Sequence, residues 1–228
     1  MKLKHILLSS ILFLSFGQIT IAGDTAREVR KVSTFNILKI NGKFNIVLTQ
    51  GDANALTVSG DKNAVAAVTS QNTGVALNIT MKDTTTVANL YITFKDILQI
   101  SIVGNCKISS SKEIKTDDLK LILDGNAGGA LDVKTKVLTF TCTTDKNFTL
   151  IGKADKCTAK VEDDGAIDMS QFKADDLTLE YASDTDIKIY AHPTLHVKMA
   201  GAGNLTYYGN PKVKVFTVNG TGNPTEGK

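Results

Sequence analysis

Aspartate is concentrated in short polar segments in the C-terminal half of the chain. These segments recur at intervals of about 19 residues and read DGNAGG, TTDKN, EDDGA and SDTD. If they stack on one another, they place a strip of carboxylates at about 5 Å spacing. The predicted members of this acidic strip are Asp124, Asp145, Asp163, Asp164, Asp184 and Asp186. Calcium prefers carboxylate and carbonyl oxygens, so the strip is a candidate calcium site. The alternative is that Asp, Asn and Gly occur there because they stabilise tight turns.

Two further aspartates suggest a catalytic alternative. Asp132 and Asp168 each lie between apolar residues in a short strand pattern. Enzymes that hydrolyse glycosidic bonds use paired carboxylates, and β-helix enzymes carry such groups on an outer sheet. Lys188 and Thr206 occupy the equivalent position later in the chain, so the pattern predicts no facing pair. A polysaccharide-acting enzyme is therefore the alternative to a non-catalytic protein.

The two histidines beyond the N-terminal segment are interpreted as surface residues. His192 and His196 flank Pro193 at a predicted turn. The sequence contains neither the HExxH pattern of zinc proteases nor the GxSxG pattern of serine hydrolases. No third metal ligand accompanies the two histidines. The sequence therefore predicts no cofactor, with calcium as the one candidate ion.

The elements that must position these residues recur with a constant phase. Apolar anchor residues are separated by 19, 19, 20, 18 and 18 residues, and they are Leu119, Leu138, Cys157, Leu177, Leu195 and Val213. Residues two and four positions after the first five anchors are again small or apolar, which is the period of a strand with one buried face. We call these the first strands. A second, shorter alternation begins about ten residues after each anchor, at Leu131, Phe148, Ile167, Ile187 and Leu205.

A period of about 19 residues that contains two short strands is typical of a β-solenoid, in which stacked coils pair their strands in parallel. We therefore predict an all-β, single-stranded β-solenoid with coils of about 18–21 residues. A β-sandwich is the structural alternative, because it also has short strands at similar intervals. The regular coils should occupy about residues 98–228. Residues 23–97 should form irregular coils or a cap, and DKNAVAAVTSQNTG is compatible with a helical turn.

Outward-facing positions of the first strands are polar or charged. The candidate ligand-binding residues among them are Lys120, Thr139, Thr141, Lys160, Thr178, Glu180 and Lys198. A face of this kind is suited to a glycan or a surface protein, which it would bind through many weak polar contacts. The same composition is also that of any parallel sheet that faces water. These residues are therefore candidates for recognition rather than for chemistry.

The N-terminal sequence has the features of a secretory signal peptide. A basic start is followed by an apolar run from Ile6 to Phe16 and by small residues that end at Ala22. The apolar run is too short for a membrane span. We predict that residues 1–22 are the signal peptide and that 23–228 form one domain in the periplasm, at the outer surface or outside the cell. The formal net charge is +3 without a basic cluster in the mature sequence, so nucleic acid is not an expected partner.

The cysteine pattern argues against a disulfide, although export would permit one. Cys157 is an anchor, whereas Cys142 lies four residues beyond its own anchor. If the two coils are in register, the residues are offset along the strand by ~13 Å. A disulfide needs Cα atoms within about 7 Å of each other. We predict buried thiols that act as small hydrophobic residues, and Cys106 has no predicted partner.

Several segments resemble a known family. They are FNILKINGKFNIVLTQGDANALTVSGDKNAV, VALNITMK, LQISIVGN and VKMAGAGNLTYYGNPKVKVFTVNGTG. These segments are similar to exported bacterial proteins described as "putative auto-transporter adhesin, head GIN domain". The resemblance spans nearly the whole mature chain, and its most specific piece is AGAG at residues 200–203 followed by Tyr208, Gly209 and Pro211. It implies a right-handed parallel β-helix and supplies no catalytic residues.

The combined expectation is an exported, non-catalytic binding or structural module of the bacterial cell envelope. The alternatives are the polysaccharide-acting enzyme and a calcium-stabilised scaffold. A glycan or an envelope or host surface protein is the expected partner. A solenoid end exposes unpaired strands, so a homodimer formed through one end is a further expectation.

Overall fold

The computed structural model describes residues 19–22, 24–82, 85–162 and 164–228. Over these residues the chain is nearly all β and forms a β-solenoid of about seven turns, which confirms the predicted fold class. The predicted signal peptide lies outside the described residues except for 19–22. No helix within the described residues has the length and hydropathy needed to cross a membrane.

The described part contains 17 strands and one helix. The N-terminal elements are β1 (Ile19–Ala22), β2 (Thr25–Arg30), β3 (Ile37–Gln50), β4 (Ala55–Asp61), α1 (Lys62–Ala67), β5 (Val68–Thr73), β6 (Ala76–Met81), β7 (Ala88–Phe94), β8 (Gln99–Ser110) and β9 (Ile114–Lys115). The C-terminal elements are β10 (Asp118–Gly125), β11 (Gly128–Thr144), β12 (Phe148–Glu162), β13 (Ile167–Ala182), β14 (Ile187–Met199), β15 (Leu205–Tyr208), β16 (Val213–Val218) and β17 (Pro224–Glu226).

Parallel pairing between successive coils places the anchors in one interior column. Leu119 pairs with Leu138, which pairs with Cys157, and the column continues through Leu177 and Leu195. Each of these residues is at most 2% exposed. Burial of apolar side chains from every coil is the main source of stability in such a stack. The interior therefore requires only suitable size and apolarity, which is why the pattern recurs without identical residues.

Two details of the predicted register are wrong. Phe148 pairs with Gly129 rather than with Leu131, so this coil's second strand begins two residues earlier than predicted. A side chain at Gly129 would place its Cβ 2.0 Å from the carbonyl oxygen of Ile108, and the φ of Gly129 is +132°. Only glycine fits this close approach, and glycine gives no apolar signal in the sequence.

The last anchor is also displaced by one residue. Val213 pairs with Thr194, and Lys214 pairs with the anchor Leu195. Lys214 can occupy an interior phase because it lies on the final coil, where its Nζ atom is 5.5 Å from the centre of the Tyr207 ring. The apolar pattern ends there because the column reaches solvent.

The N-terminal end of the solenoid is closed by strands that leave the simple coil order. β3 lies between two segments that follow it in the sequence, since it pairs in parallel with β6 and β7 on one side and with β8 on the other. Beyond them, β4 pairs antiparallel with β7, β2 with β4, and β5 with β6. This end therefore changes from a parallel stack to an antiparallel cover.

Helix α1 completes this cover and is held by one arginine. Ala64 and Val65 of the helix are buried in the core. The Arg30 guanidinium donates to the carbonyl oxygens of Val65 and Val68 at 3.0 and 2.7 Å. The guanidinium also donates to the Glu28 carboxylate and to the Ser70 hydroxyl, so the buried carbonyl groups at the end of α1 have a donor that is itself held in place.

The C-terminal end of the solenoid is covered by fewer elements than the N-terminal end. β16 pairs with β14, and β17 pairs with β15; within the described residues neither has a partner on its outer edge. Phe216 packs against Tyr207 with a distance of 5.4 Å between ring centres. An ion pair of 3.1 Å between Lys214 and Glu226 lies beside these rings. Val213, Val215 and Val218 on β16 are exposed.

The predicted state of the cysteines is confirmed. Cys142 pairs with Val161 and Cys157 with Leu138, so the two cysteines are offset along their strands. All three cysteines lie in the described residues, and none forms a disulfide. Burial raises the pKa of the Cys157 thiol to about 12. Burial also raises the pKa of Cys106 to about 11, and its Sγ donates to the carbonyl oxygen of Gly42 at 3.5 Å.

Candidate recognition surface

The predicted ligand-binding residues lie on one sheet face, which we call the outer face. They form two ladders in which each residue pairs with its equivalent on the next coil. The first ladder is Lys120, Thr139, Thr158, Thr178 and His196, and the second is Thr141, Lys160, Glu180 and Lys198. Thr158 is a member that sequence inspection did not single out, although it lies one residue after the anchor Cys157.

The outer face is polar, and its charges alternate in sign. Lys160, Glu180 and Lys198 occupy successive coils of the second ladder. A hydrogen bond from Lys160 to Glu162, with a distance of 2.9 Å, is the main cause that raises the pKa of this lysine. Two shallow depressions of about 180 Å³ each lie on this face, on either side of Glu180. The arrangement can donate and accept hydrogen bonds along the solenoid axis.

The predicted acidic strip is divided among several environments. Asp163 lies outside the described residues. Asp184 accepts a hydrogen bond from the backbone N–H of Ala202 at 2.9 Å, and Asp186 accepts one from that of Asn204 at 2.9 Å. These carboxylates therefore tie one turn to the turn of the next coil, as expected of turn residues. Within the described residues, no group of three or more His, Cys, Asp or Glu side chains is placed to hold a metal ion.

The remaining members of the strip lie apart from these two. Asp124 accepts from the Thr143 hydroxyl at 3.1 Å. Asp164 is an exposed residue of the bend before β13. Asp145 lines a groove of about 630 Å³ across several coils, beside Lys107 and Lys146.

The two aspartates of the enzyme alternative lie in different ladders. Asp132 pairs with Ile151, whereas Asp168 pairs with Thr149 on one side and with Lys188 on the other. The Asp168 carboxylate accepts from the backbone N–H and the hydroxyl of Ser170, at 2.9 and 2.6 Å. The predicted equivalence of Asp168, Lys188 and Thr206 is confirmed, but Asp132 is not part of it.

The histidines are also separated. His196 is half-buried in the first ladder of the outer face. His192 is exposed, and its Nδ1–H donates to the carbonyl oxygen of Gly209 at 2.9 Å.

Sequence inspection missed a basic ladder on another side of the coils. Lys115, Lys134, Lys153 and Lys173 pair with one another on four successive coils. They are about 19 residues apart in the sequence, so they do not form a cluster there. The signal was nevertheless present, because each lysine precedes its anchor by four residues. The lysines form a basic strip only when the coils stack, so a search for a contiguous basic run in the sequence does not find it.

Comparisons with known proteins agree with the fold. The model of the family described as "Putative auto-transporter adhesin, head GIN domain" matches residues 34–211. The structure of a putative adhesin from Bacteroides fragilis superposes with a TM-score of 0.80 at 19% identity, covering 90% of this chain and 98% of that one. For a putative adhesin from Parabacteroides merdae the values are 0.68 and 18%, with 90% and 97% covered.

A third solved structure carries a different name. A "putative lipid binding protein" from Parabacteroides distasonis superposes with a TM-score of 0.62 at 18% identity, covering 89% of this chain and 97% of that one. A comparison with curated proteins finds no match. At these identities the solved structures establish the shared fold alone.

Proposed function

Because the chain belongs to the putative auto-transporter adhesin, head GIN domain family, we propose that it is an exported, non-catalytic binding module of the bacterial cell envelope. In this proposal its signal peptide is removed and the outer face recognises a glycan or a surface protein. The name of the family and the names of two structural neighbours support an adhesin-like role.

The observation that carries the proposal is the pair of ladders on the outer face. Their hydroxyl, ammonium and carboxylate groups repeat at the strand spacing of about 4.8 Å. A rigid array of this kind can make many weak contacts with an extended partner without ordering its own backbone, which lowers the entropic cost of binding. The separation of Asp132 from the Asp168 ladder supports a module without glycosidase chemistry.

A glycan array with a matched charge control tests this proposal. The purified protein is compared with the variant Lys160→Glu/Lys198→Glu, which reverses two charges on the outer face. The control Lys31→Glu/Lys95→Glu makes the same change in net charge at exposed positions near the N-terminal end. We expect the first variant to lose binding by about tenfold, as two exposed charge contacts predict, and the control to retain it.

Two results would overturn the proposal. Release of reducing sugars from a bound glycan would identify an enzyme. Equal loss of binding in both variants would show that net charge, rather than the outer face, determines recognition. Phosphatidylcholine vesicles belong in the same screen because of the lipid-binding name of one structural neighbour, and vesicle binding with no glycan or protein binding would contradict the proposed partner class.

We also propose that two copies associate through the C-terminal end. The support is β16, which pairs on one side in the described residues and exposes Val213 and Val215. Such an edge is a template for strand pairing. Light scattering should show mass that rises with concentration, and Val215→Lys should abolish the rise while the control Val75→Lys retains it. A monomer at high concentration would disprove this association.

A further inference from the structure

The basic ladder continues into an aromatic ladder on the same side of the solenoid. Lys173 on β13 pairs with Tyr190 on β14, and Tyr190 pairs with Tyr208 on β15. The complete strip is therefore Lys115, Lys134, Lys153, Lys173, Tyr190 and Tyr208, one residue on each of six successive coils. We propose that this lysine–tyrosine ladder binds an acidic polysaccharide chain that runs along the solenoid axis.

The ladder places like charges next to one another. In a parallel sheet the equivalent residues of neighbouring strands are about 4.8 Å apart, and like charges directly opposite each other are destabilising. The four lysine side chains are exposed, so nothing in the interior requires them there. An arrangement that costs stability without serving packing is expected where a ligand of opposite charge is bound.

Neighbouring carboxylates neutralise only part of this charge. Lys115 pairs with Glu113 at 3.2 Å, and Lys136 beside the ladder pairs with Asp117 at 3.0 Å. Among the described residues, no carboxylate lies within ion-pair distance of Lys134, Lys153 or Lys173. Asp155 lines the groove between these lysines together with Asp117. The middle of the ladder therefore retains a net positive charge.

The surface is concave where the charge is greatest. Lys115, Lys134 and Lys153 line a groove of about 460 Å³ together with Lys136. The groove follows the ladder across successive coils, so an extended chain fits it better than a compact ion does. A chain of linked acidic sugars presents one carboxylate for each ring, so it carries repeated negative charge along the row of lysines.

The tyrosine end adds a contact that simple anions do not use. Tyr190 and Tyr208 are half-buried, and the Lys173 ammonium lies 5.9 Å from the centre of the Tyr190 ring. Aromatic rings provide an apolar surface with a polar edge and are suited to packing against the apolar face of a sugar ring. The combination of charge and aromatic packing favours a carbohydrate over an inorganic anion.

Nucleic acid fits the ladder less well. The four lysines lack the interleaved aromatic residues on which exposed bases stack in single-strand binding proteins, because the two tyrosines lie beyond them at one end of the ladder. An acidic polysaccharide is therefore the single ligand class that we assign.

Calorimetric titration with polygalacturonate tests the assignment. The purified protein is compared with Lys134→Gln/Lys153→Gln and with the control Lys31→Gln/Lys62→Gln, which removes the same charge at exposed positions of the N-terminal cap. We expect polygalacturonate to bind at low ionic strength and to bind more weakly as salt is added. The ladder variant should bind about tenfold more weakly, and the control should match the parent protein.

A second variant separates the aromatic contribution from the charge. Tyr208→Leu should weaken binding of polygalacturonate without changing its salt dependence, because it removes no charge. Circular dichroism and the melting temperature check that each variant is folded. This site is independent of the outer face, so Lys160→Glu/Lys198→Glu should leave polygalacturonate binding intact even if the proposed function fails.

Several outcomes would overturn the assignment. Absence of binding to polygalacturonate in low salt would exclude the ligand class. Equal weakening by the ladder variant and the control would reduce the effect to net charge. Tighter binding of duplex DNA or of anionic phospholipid vesicles through Lys134 and Lys153 would assign the ladder to a different ligand.

Discussion

Each end of the solenoid must cover exposed strand edges, and the two ends do so with different amounts of structure. The N-terminal end is covered by β2, β4, β5 and α1, and Arg30 donates to carbonyl oxygens of Val65 in α1 and of Val68 at the start of β5. The C-terminal end is covered by a short aromatic and ionic contact around Tyr207. The coils between them repeat and need only their neighbours. The N-terminal cap is therefore a separate set of strands with a helix, whereas the C-terminal end is the last coil of the repeat without an added cover.

Removing core volume at the two ends should produce the largest difference. Leu56 in β4 is 0% exposed, whereas Val218 in β16 is 41% exposed. Leu56→Ala should lower the free energy of unfolding by about 3 kcal/mol, because it removes buried methyl groups and leaves a cavity. Val218→Ala should have a much smaller effect. Urea unfolding of both variants measures this difference, and equal losses would show that the two ends are equally packed.

Breaking the polar contacts at the two ends should give a smaller but similar contrast. Arg30→Met keeps the length of the side chain but removes the donors to Val65 and Val68. We expect a loss of about 2 kcal/mol, because two carbonyl groups lose a charged donor. Lys214→Met removes an exposed ion pair with Glu226 and should leave the melting temperature nearly unchanged.

Thermal unfolding of these two variants checks the contrast. If Lys214→Met lowers the melting temperature as much as Arg30→Met does, then the ionic contact at the C-terminal end is a true cap.

Alkaline pH should test the packing of the interior between the two ends, because two buried thiols there resist deprotonation. Burial raises the pKa of Cys106 to about 11 and that of Cys157 to about 12, above an ordinary value of 9.0. The unfolded chain therefore loses these protons at lower pH than the folded one. Stability is fully present below pH 9.0 and falls as the pH rises towards 11, by about 1 kcal/mol per pH unit for each thiol.

Urea titrations between pH 8 and 11 measure this dependence. Lysines and tyrosines also titrate in this range, so the informative quantity is the difference from Cys157→Ala. That variant should show a shallower decline with pH. An unchanged slope would mean that the thiol is accessible to solvent in the folded protein.

The smallest effect is expected at the turns near the C-terminal end. Asp184→Ala removes the acceptor for the backbone N–H of Ala202. The turn is exposed and water can replace the carboxylate, so we expect a loss of only about 0.5–1 kcal/mol. Asp184→Asn keeps an acceptor oxygen and should recover most of it. A loss of unfolding free energy as large as that of Leu56→Ala would indicate that the stability of the C-terminal end depends on this turn.

The regular coils could be predicted from the sequence because their interior repeats a simple requirement. Leu119, Leu138, Cys157, Leu177 and Leu195 share one phase, and the structure places them in one column. The errors fall where this requirement is absent. Gly129 starts a strand without an apolar side chain, and Lys214 takes an interior position on a coil that faces solvent.

A cap was predicted for residues 23–97, but its strand pairing and the basic ladder escaped sequence inspection, for different reasons. The pairing of β3 with both β7 and β8 depends on contacts between distant segments, which no local period records. The lysines of the ladder do follow the period, but they become a cluster only when the coils are stacked. Of the candidate sites, the outer face was found because its residues alternate with the anchors, whereas a strip of identical residues across coils has no local pattern.

The position of β3 has a consequence for the order in which the chain can assemble. Neighbouring coils in the C-terminal half join residues about 19 positions apart, so each addition closes a short loop. Ile37 of β3, in contrast, pairs with Gln99 of β8 while its other side holds β6 and β7. Closing longer loops costs more entropy and slows folding. In a chain that folds from its N-terminus, the cap strands can therefore pair with β6 and β7 first, while the other side of β3 stays unpaired until β8 follows.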